Sequence, residues 1–441
     1  MTRTHRAPAR TIGRRALMAG ALALGCAAAA PSSAFADARP ELVVQYTFAV
    51  AFDPGFERLK EIFQRENPDV KLTFRAPHKD YDIGIQSLLR EAVTDDMPHV
   101  TYVGLNHMRV VKERGLAVDL APLMQKEGST FEAQGWTPPL QALGQVDRVQ
   151  IGLPFAMSMP VVYVNADLVR RAGSDPAAMP QGWDGLLDLA GRIGKLGPDT
   201  AGMYMPWTGA SGAWLFQGLV YGVNGQIMRP GEKKVAFGSK EGLYAARLYR
   251  RMVDDGAMPD IPDQAARQQF MAGRMGLFLD SISRLSNFER AIGDRFELRT
   301  SAYPLDDREA GGLVTGGNAA VITRTAAKDP KVLAAAWRWI KFTSGPRGTN
   351  EVIRHVGYVP VNVLALQDPA LLKGYFDDRP RHRTAVDQIP LVREWFQFPG
   401  ANGVKINDTI SEYLQTIVDR SQTPEAALKA MVSEVDALLP R

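Results

Sequence analysis

From Leu42 onward the chain alternates between two hydrophobic periods, and that alternation restricts its fold more than any other feature. Leu42 to Phe48 reads as a strand, and Asp53 to Glu66 places Phe56, Leu59, Ile62 and Phe63 on one face of a helix. Val70 to Phe74 reads as a second strand, with Asn67-Pro68 as the break before it. Tyr81 to Ala92 then reads as a helix and His99 to Gly104 as a strand. Strand, helix, strand in this order suits a mainly parallel sheet with helices on its faces, so the chain opens as an α/β fold. No repeat of fixed period and no low-complexity segment follows.

The first 36 residues stand apart from this pattern. Arg3, Arg6, Arg10, Arg14 and Arg15 precede an apolar run from Ala16 to Ala30, and Ala34-Phe35-Ala36 fits small-residue cleavage before Asp37. That is a secretory leader, and Gly13-Arg14-Arg15-Ala16-Leu17-Met18 gives it the look of a twin-arginine export signal. General secretory export and lipidation at Cys26 are the alternatives. The leader holds five of the 52 basic residues and none of the 48 acids, so 47 face 48 afterwards, near −1. The apparent basicity therefore belongs to export and is not a nucleic-acid footprint. Cys26 is the only cysteine, which excludes a disulfide, a thiolate metal site or a cysteine nucleophile after cleavage. Some 405 of the 441 residues remain, more than one core usually supports, so two lobes are expected. No later apolar run is long enough to span a membrane.

Four further blocks have distinct layouts. Leu153-Pro154-Phe155-Ala156-Met157-Ser158-Met159-Pro160 leads into a strand Val161 to Asn165, then a helix from Ala166 and another from Trp183 to Leu196. Phe270 to Leu279 reads as a helix end, a tight turn at Gly273 and a strand. Gly316-Gly317-Asn318-Ala319-Ala320-Val321-Ile322 reads as a glycine-led strand. Ala326 to Ser344 is helical, Ser344-Gly345-Pro346 stops it, a second helix carries Val352 and Ile353, and Gly357-Tyr358-Val359-Pro360 makes a corner.

Taken in order, these blocks resemble the family 1 extracellular solute-binding proteins, the ligand-capturing subunits of bacterial ABC importers. The similarity is nearest the branch that includes the glycerol-3-phosphate-binding component. It implies a two-lobed α/β periplasmic-binding-protein fold with three inter-lobe crossings, at 152–160, 270–279 and 316–322. On that basis the N-terminal lobe comprises 37–152 plus 280–318 and the C-terminal lobe 153–279 plus 319–441. It further implies a periplasmic, monomeric protein without cofactor or metal, which takes a carbohydrate-like solute to the transmembrane subunits of a permease. Carrying the branch's ligand residues across gives Tyr81, Ser158, Ser281 or Ser283, Gly317 and Tyr358. The acid expected near Leu105 is missing, and no arginine stands at Lys405 to Asn407, where one is expected.

A sugar or polyol offers hydroxyls that both donate and accept, together with apolar ring faces. Tyr81, Ser158, Ser281, Ser283 and Asn318 can meet the hydroxyls, and Gly316 and Gly317 leave room for backbone groups to approach. Trp207, Trp214, Trp395 and Tyr358 are candidate stacking surfaces; Pro206 to Gly212 and Trp395 to Gly400 look like loops rich in small residues. A glycerol-3-phosphate or glycerophosphodiester ligand is the alternative, with Arg284 and Lys405 as sources of positive charge. A secreted glycoside hydrolase is the reading from another class, resting on Asp95-Asp96 and Asp377-Asp378. Adjacent acids usually occupy solvated loops, and neither a nucleophile elbow nor a metalloprotease motif occurs.

Overall fold

A computed structural model describes residues 39–440 apart from Glu232 and Ala401, so the leader and Cys26 lie outside the described residues. Two sheets organise the chain. The first has the order Lys71–Phe74, Glu41–Gln45, Val100–Gly104, Gly316–Ile322, Leu153–Ser158. Its first three strands are parallel, as the opening alternation predicts, whereas Gly316–Ile322 runs antiparallel to both neighbours. The second has the order Leu298–Ala302, Pro160–Asn165, Met275–Ser281, Ala201–Tyr204. These sheets are the cores of the two lobes.

The helix Ala49–Glu66 buries Phe52, Phe56, Leu59, Ile62 and Phe63 against the first sheet. Phe56 stacks on Phe155 at 5.3 Å between centroids, and Tyr102 meets Phe155 edge-on at 4.5 Å. Aromatic packing of this kind adds about 0.5–1.5 kcal/mol per pair beyond area burial. The helix Pro330–Ser344 covers the same core with Trp337, Trp339 and Ile340. Asp329 caps it by accepting a bond from the Lys331 backbone N–H at 2.7 Å, so it begins four residues after the expected Ala326. Among the described residues no helix is long and apolar enough to cross a membrane.

The chain passes between the sheets three times, but only partly where expected. The first passage is Met159, between Leu153–Ser158 in one sheet and Pro160–Asn165 in the other. Met275–Ser281, expected to return to the first lobe, instead pairs with Pro160–Asn165 inside the second sheet. The return comes after Leu298–Ala302, and Gly316–Ile322 is the first strand back. Residues 319–361, expected in the C-terminal lobe, stay with the first: Val359 exchanges backbone bonds with Met157 at 2.6 and 3.2 Å. The third passage follows Val359, and by Thr384 the chain touches the second sheet, through a 2.8 Å hydroxyl contact with Thr300. An apolar strand has the same period whichever sheet it joins, so its lobe is set by distant pairing partners.

Candidate functional site

The strand Gly316–Ile322 begins at the second passage, and its first three residues face two groups of polar side chains. In the first group the buried Asn318 donates from Nδ2 to the Tyr81 hydroxyl at 2.9 Å, while its own Oδ1 meets no partner among the described residues. Tyr81 opens the helix Tyr81–Thr94, which Asp80 caps by accepting from the Ile83 N–H at 2.8 Å. The Tyr81 ring covers Gly104 so closely that a Cβ there would lie 2.7 Å from Cγ. Burial, then the neighbouring Tyr358, pushes the Tyr81 phenol's pKa well up. Burial also raises that of Tyr358, against the Tyr81 hydroxyl, the Arg284 guanidinium and the Ser283 hydroxyl beside it. Both phenols therefore stay neutral, able to donate and to accept.

Ser281 and Ser283 complete this group from the second lobe. Their hydroxyls lie 2.8 Å apart, and Ser281 Oγ caps the short turn Ile282–Arg284 by accepting from the Ser283 N–H at 3.2 Å. Asp280, buried at the end of the strand, accepts from the Ser281 N–H at 2.7 Å and from Arg284 Nε at 3.1 Å. That carboxylate holds the Arg284 pKa up. Arg284 is 39% exposed. Arg267 and Asp263 form a second such pair at 3.0 Å. Burial, then Asp280, raises the Asp263 pKa, and its Oδ1 is buried without a partner.

The second group surrounds Gly316. Ser158 pairs with it across the sheet, and a Cβ on Gly316 would lie 2.6 Å from Ser158 Oγ and 3.4 Å from Trp214 Nε1. Trp214 donates to the Thr315 carbonyl at 3.0 Å, and the Thr315 hydroxyl donates to the Ser158 carbonyl at 3.2 Å. Gly317 has φ +117°, and a Cβ on it would fall 1.9 Å from the Ala156 carbonyl oxygen. Both glycines are thus required by neighbouring strands, a role the sequence reading had assigned to ligand approach.

The aromatic expectations change most. Trp207, Trp214 and Trp395 are only 2%, 4% and 8% exposed, so none presents an open stacking face. The expected loop Pro206 to Gly212 turns into the start of the helix Gly209–Gly222. Gly212 serves packing there: a Cβ on it would sit 2.2 Å from the Trp207 carbonyl. Trp207 donates to Gln415 Oε1 at 2.7 Å and packs on Tyr204, with no contact to either polar group. Trp395 lies 6.4 Å from Trp214 and so belongs to the second group. Asp95, Asp96 and Asp377 are ion-paired on the surface with Lys328, Arg75 and Lys373, away from the site. A separate apolar groove of about 760 Å³, walled by Leu140, Val363, Leu366, Val386 and Ile389, shares no residue with the two groups.

A profile of the bacterial extracellular solute-binding proteins matches residues 58–373. The chain belongs to that family. A Brucella abortus (strain 2308) binding protein is 25% identical over 412 residues, covering 92% of this chain and 95% of its own length. The sn-glycerol-3-phosphate-binding periplasmic protein UgpB of Escherichia coli K12 is 21% identical over 406 residues, covering 87% of this chain and 89% of its own length. UgpB from Mycobacterium tuberculosis, solved with glycerophosphocholine, matches with a TM-score of 0.78 at 21% identity, over 90% of this chain and 98% of that one. The cyclic alpha-maltosyl-1,6-maltose binding protein of Arthrobacter globiformis matches with a TM-score of 0.77 at 18% identity, over 91% and 99%. At such identities the solved structures establish the two-lobed fold, and the site has to speak for the ligand.

Two departures seen in the sequence have a structural form in this member of the family. Leu105, where an acid was expected, is buried in the core of the first lobe. Lys405 is exposed and only 3.5 Å from Glu412, while Asp408, one turn on, has its pKa raised by burial, with Asp82 of the facing helix adding to the rise. Sequence reasoning missed Asp280. The signal for Asp280 was an acid ending an otherwise apolar strand, Met275–Ser281.

Proposed function

We propose that this chain is the solute-capturing component of an ABC importer, that its leader takes it to the periplasm by the twin-arginine route, and that its cleft closes on an uncharged sugar or polyol. Acting as a monomer, it hands that solute to a membrane-spanning permease. One observation carries the choice of ligand: the cleft's charges are already paired, Arg284 with Asp280 and Arg267 with Asp263, while Asn318 Oδ1 is a buried acceptor still waiting for a donor. The open acceptor calls for a hydroxyl, which a sugar, a polyol and the glycerol part of a glycerophosphate all carry, so it is the paired charges, which leave a phosphate dianion no free cation, that favour the uncharged solute.

A glycerol phosphate or glycerophosphodiester is the second reading. It is favoured by the ligands named for the relatives and by the two Nη groups of Arg284, which Asp280 leaves unengaged. Thermal denaturation against maltose, sorbitol, glycerol 3-phosphate and glycerophosphocholine separates the two, because a ligand at 100 times its Kd stabilises by about 2.7 kcal/mol. A concentration-dependent rise in Tm with a neutral probe alone is expected. A rise with the phosphorylated probes alone would transfer the site to the second reading.

A further inference from the structure

Two buried hydrogen-bond donors beside the second passage meet no acceptor among the described residues. Gln217 lies on the helix Gly209–Gly222, three residues after Trp214 and so on the same face, and is 1% exposed. Its Oε1 accepts from the backbone N–H of Phe396 at 2.9 Å. Only the oxygen of the amide can accept, so this bond fixes the side chain's orientation and commits Nε2 to a place where it is buried without a partner. Trp395, the residue before Phe396, is 8% exposed, and its Nε1 also lacks a partner among the described residues. The adjacent Trp214 has its own indole N–H satisfied by the Thr315 carbonyl. Two donors left open in so apolar a setting, on residues tied together through the Gln217–Phe396 bond, are a cost that a fold retains only if something supplies an oxygen.

We propose that Gln217 Nε2 and Trp395 Nε1 form a two-donor subsite that takes an acceptor-only oxygen of the solute, of the kind found in an ether, a glycosidic link or a carboxylate. This rests on the sugar or polyol reading and adds a direction to it; a preference for a sugar acid would keep the polyol part of that reading and overturn its uncharged part. Asn318 Oδ1 requires a donor, so the hydroxyl-rich end of the solute lies toward Tyr81 and Asn318. The acceptor-only oxygen lies toward Gln217 and Trp395. The two ends are joined by one strand: Gly316 lies against Trp214, the neighbour of Trp395, and Asn318, two residues and roughly 7 Å further along, reaches Tyr81.

Isothermal titration of the purified protein with three probes tests the assignment. Sorbitol carries hydroxyls only, maltose adds ring and glycosidic oxygens, and D-gluconate adds a carboxylate. Gln217→Glu keeps the acceptor for Phe396 and removes the donor; Trp395→Phe keeps an aromatic ring and removes the N–H, a second arm should the first variant misfold. Each variant is expected to bind maltose or gluconate, whichever the unaltered protein prefers, at least tenfold more weakly, with sorbitol binding unchanged. The preferred probe tells a neutral oxygen from a carboxylate. Unchanged affinities would assign the two donors to an internal water, and equal losses for all three probes would assign them to packing; either overturns the inference alone. If the unaltered protein binds none of the three, the sugar or polyol reading fails first and the inference falls with it.

Discussion

Single side chains decide how this cleft can hold a solute. Tyr358 sits between the phenol of Tyr81 and the hydroxyl of Ser283, so its hydroxyl is one of the few groups that both lobes address. Removing it as Tyr358→Phe, or Ser158 as Ser158→Ala, is expected to weaken solute binding about tenfold, the worth of roughly one hydrogen bond. The melting temperature should move little; calorimetry giving unchanged affinity in both variants would reject this site. Histidines make a second prediction. His99 accepts the Val43 N–H on Nδ1 at 3.0 Å, which needs a neutral ring, and burial lowers its pKa. The unfolded chain therefore takes up the proton first. Stability is full above about pH 6.5 and declines as the pH falls through the folded value. Burial lowers His78 and His382 likewise. The Tm is expected to drop between pH 7.5 and 5.5, and His99→Gln to reduce the slope, separating it from carboxylates such as Asp263 that burial shifts the other way. A slope identical in the variant contradicts this.

At the scale of the element, the strand Gly316–Ile322 does the positioning. Its register against Leu153–Ser158 slips between Asn318 and Ala319, so Phe155 is left without a partner and turns into the aromatic core. Bulges of this kind redirect neighbouring side chains, and here one lets Asn318 reach Tyr81 while Gly316 stays under Ser158 and Trp214. Gly317 makes the slip sterically possible. Gly317→Ala meets both the +117° φ and the Ala156 carbonyl at 1.9 Å, and is expected to cost about 3 kcal/mol or more in urea denaturation. A loss below 1 kcal/mol would mean that the strand can shift to relieve the clash. Much at this scale was legible in advance. The helices beginning at Tyr81 and Trp183, the turn at Gly273 and the corner at Tyr358 all stand where periodicity and breakers put them. The start of the helix Gly209–Gly222 was not, because Gly212, which looks like a loop residue alone, becomes a close-packing position once the Trp207 backbone lies against it.

For the whole molecule, function is a matter of how two lobes meet. The segment after Val392–Arg393 belongs to the second lobe through Gln217 and Trp214, yet Gln397 accepts the Arg109 N–H and Glu113 accepts the Gly400 N–H at 3.2 Å, both from the first. Bonds that tie the two lobes together at one edge are expected to favour a closed arrangement before any solute arrives. Gln397→Ala is expected to raise the solute-free radius of gyration in small-angle scattering and to weaken binding up to about tenfold, because less of the population is competent. Scattering and affinity both unchanged would show that these contacts do not bias closure. Three passages between the lobes allow little beyond one hinge motion, so a bias at one edge is felt across the cleft.

By itself the sequence determined what depends on neighbours along the chain: alternating strands and helices, a core without disulfides, the glycine and proline corners, and the family blocks that bring Tyr81, Asn318 and Tyr358 into consideration. Hydrophobic period is a local property, and those elements follow from it. The tertiary structure alone decided which sheet Met275–Ser281 joins, that the three tryptophans are enclosed, that Asp280 neutralises Arg284, and that Gln217 is left with an open donor. Each of these rests on a partner distant in sequence, and no local pattern carries the identity of such a partner.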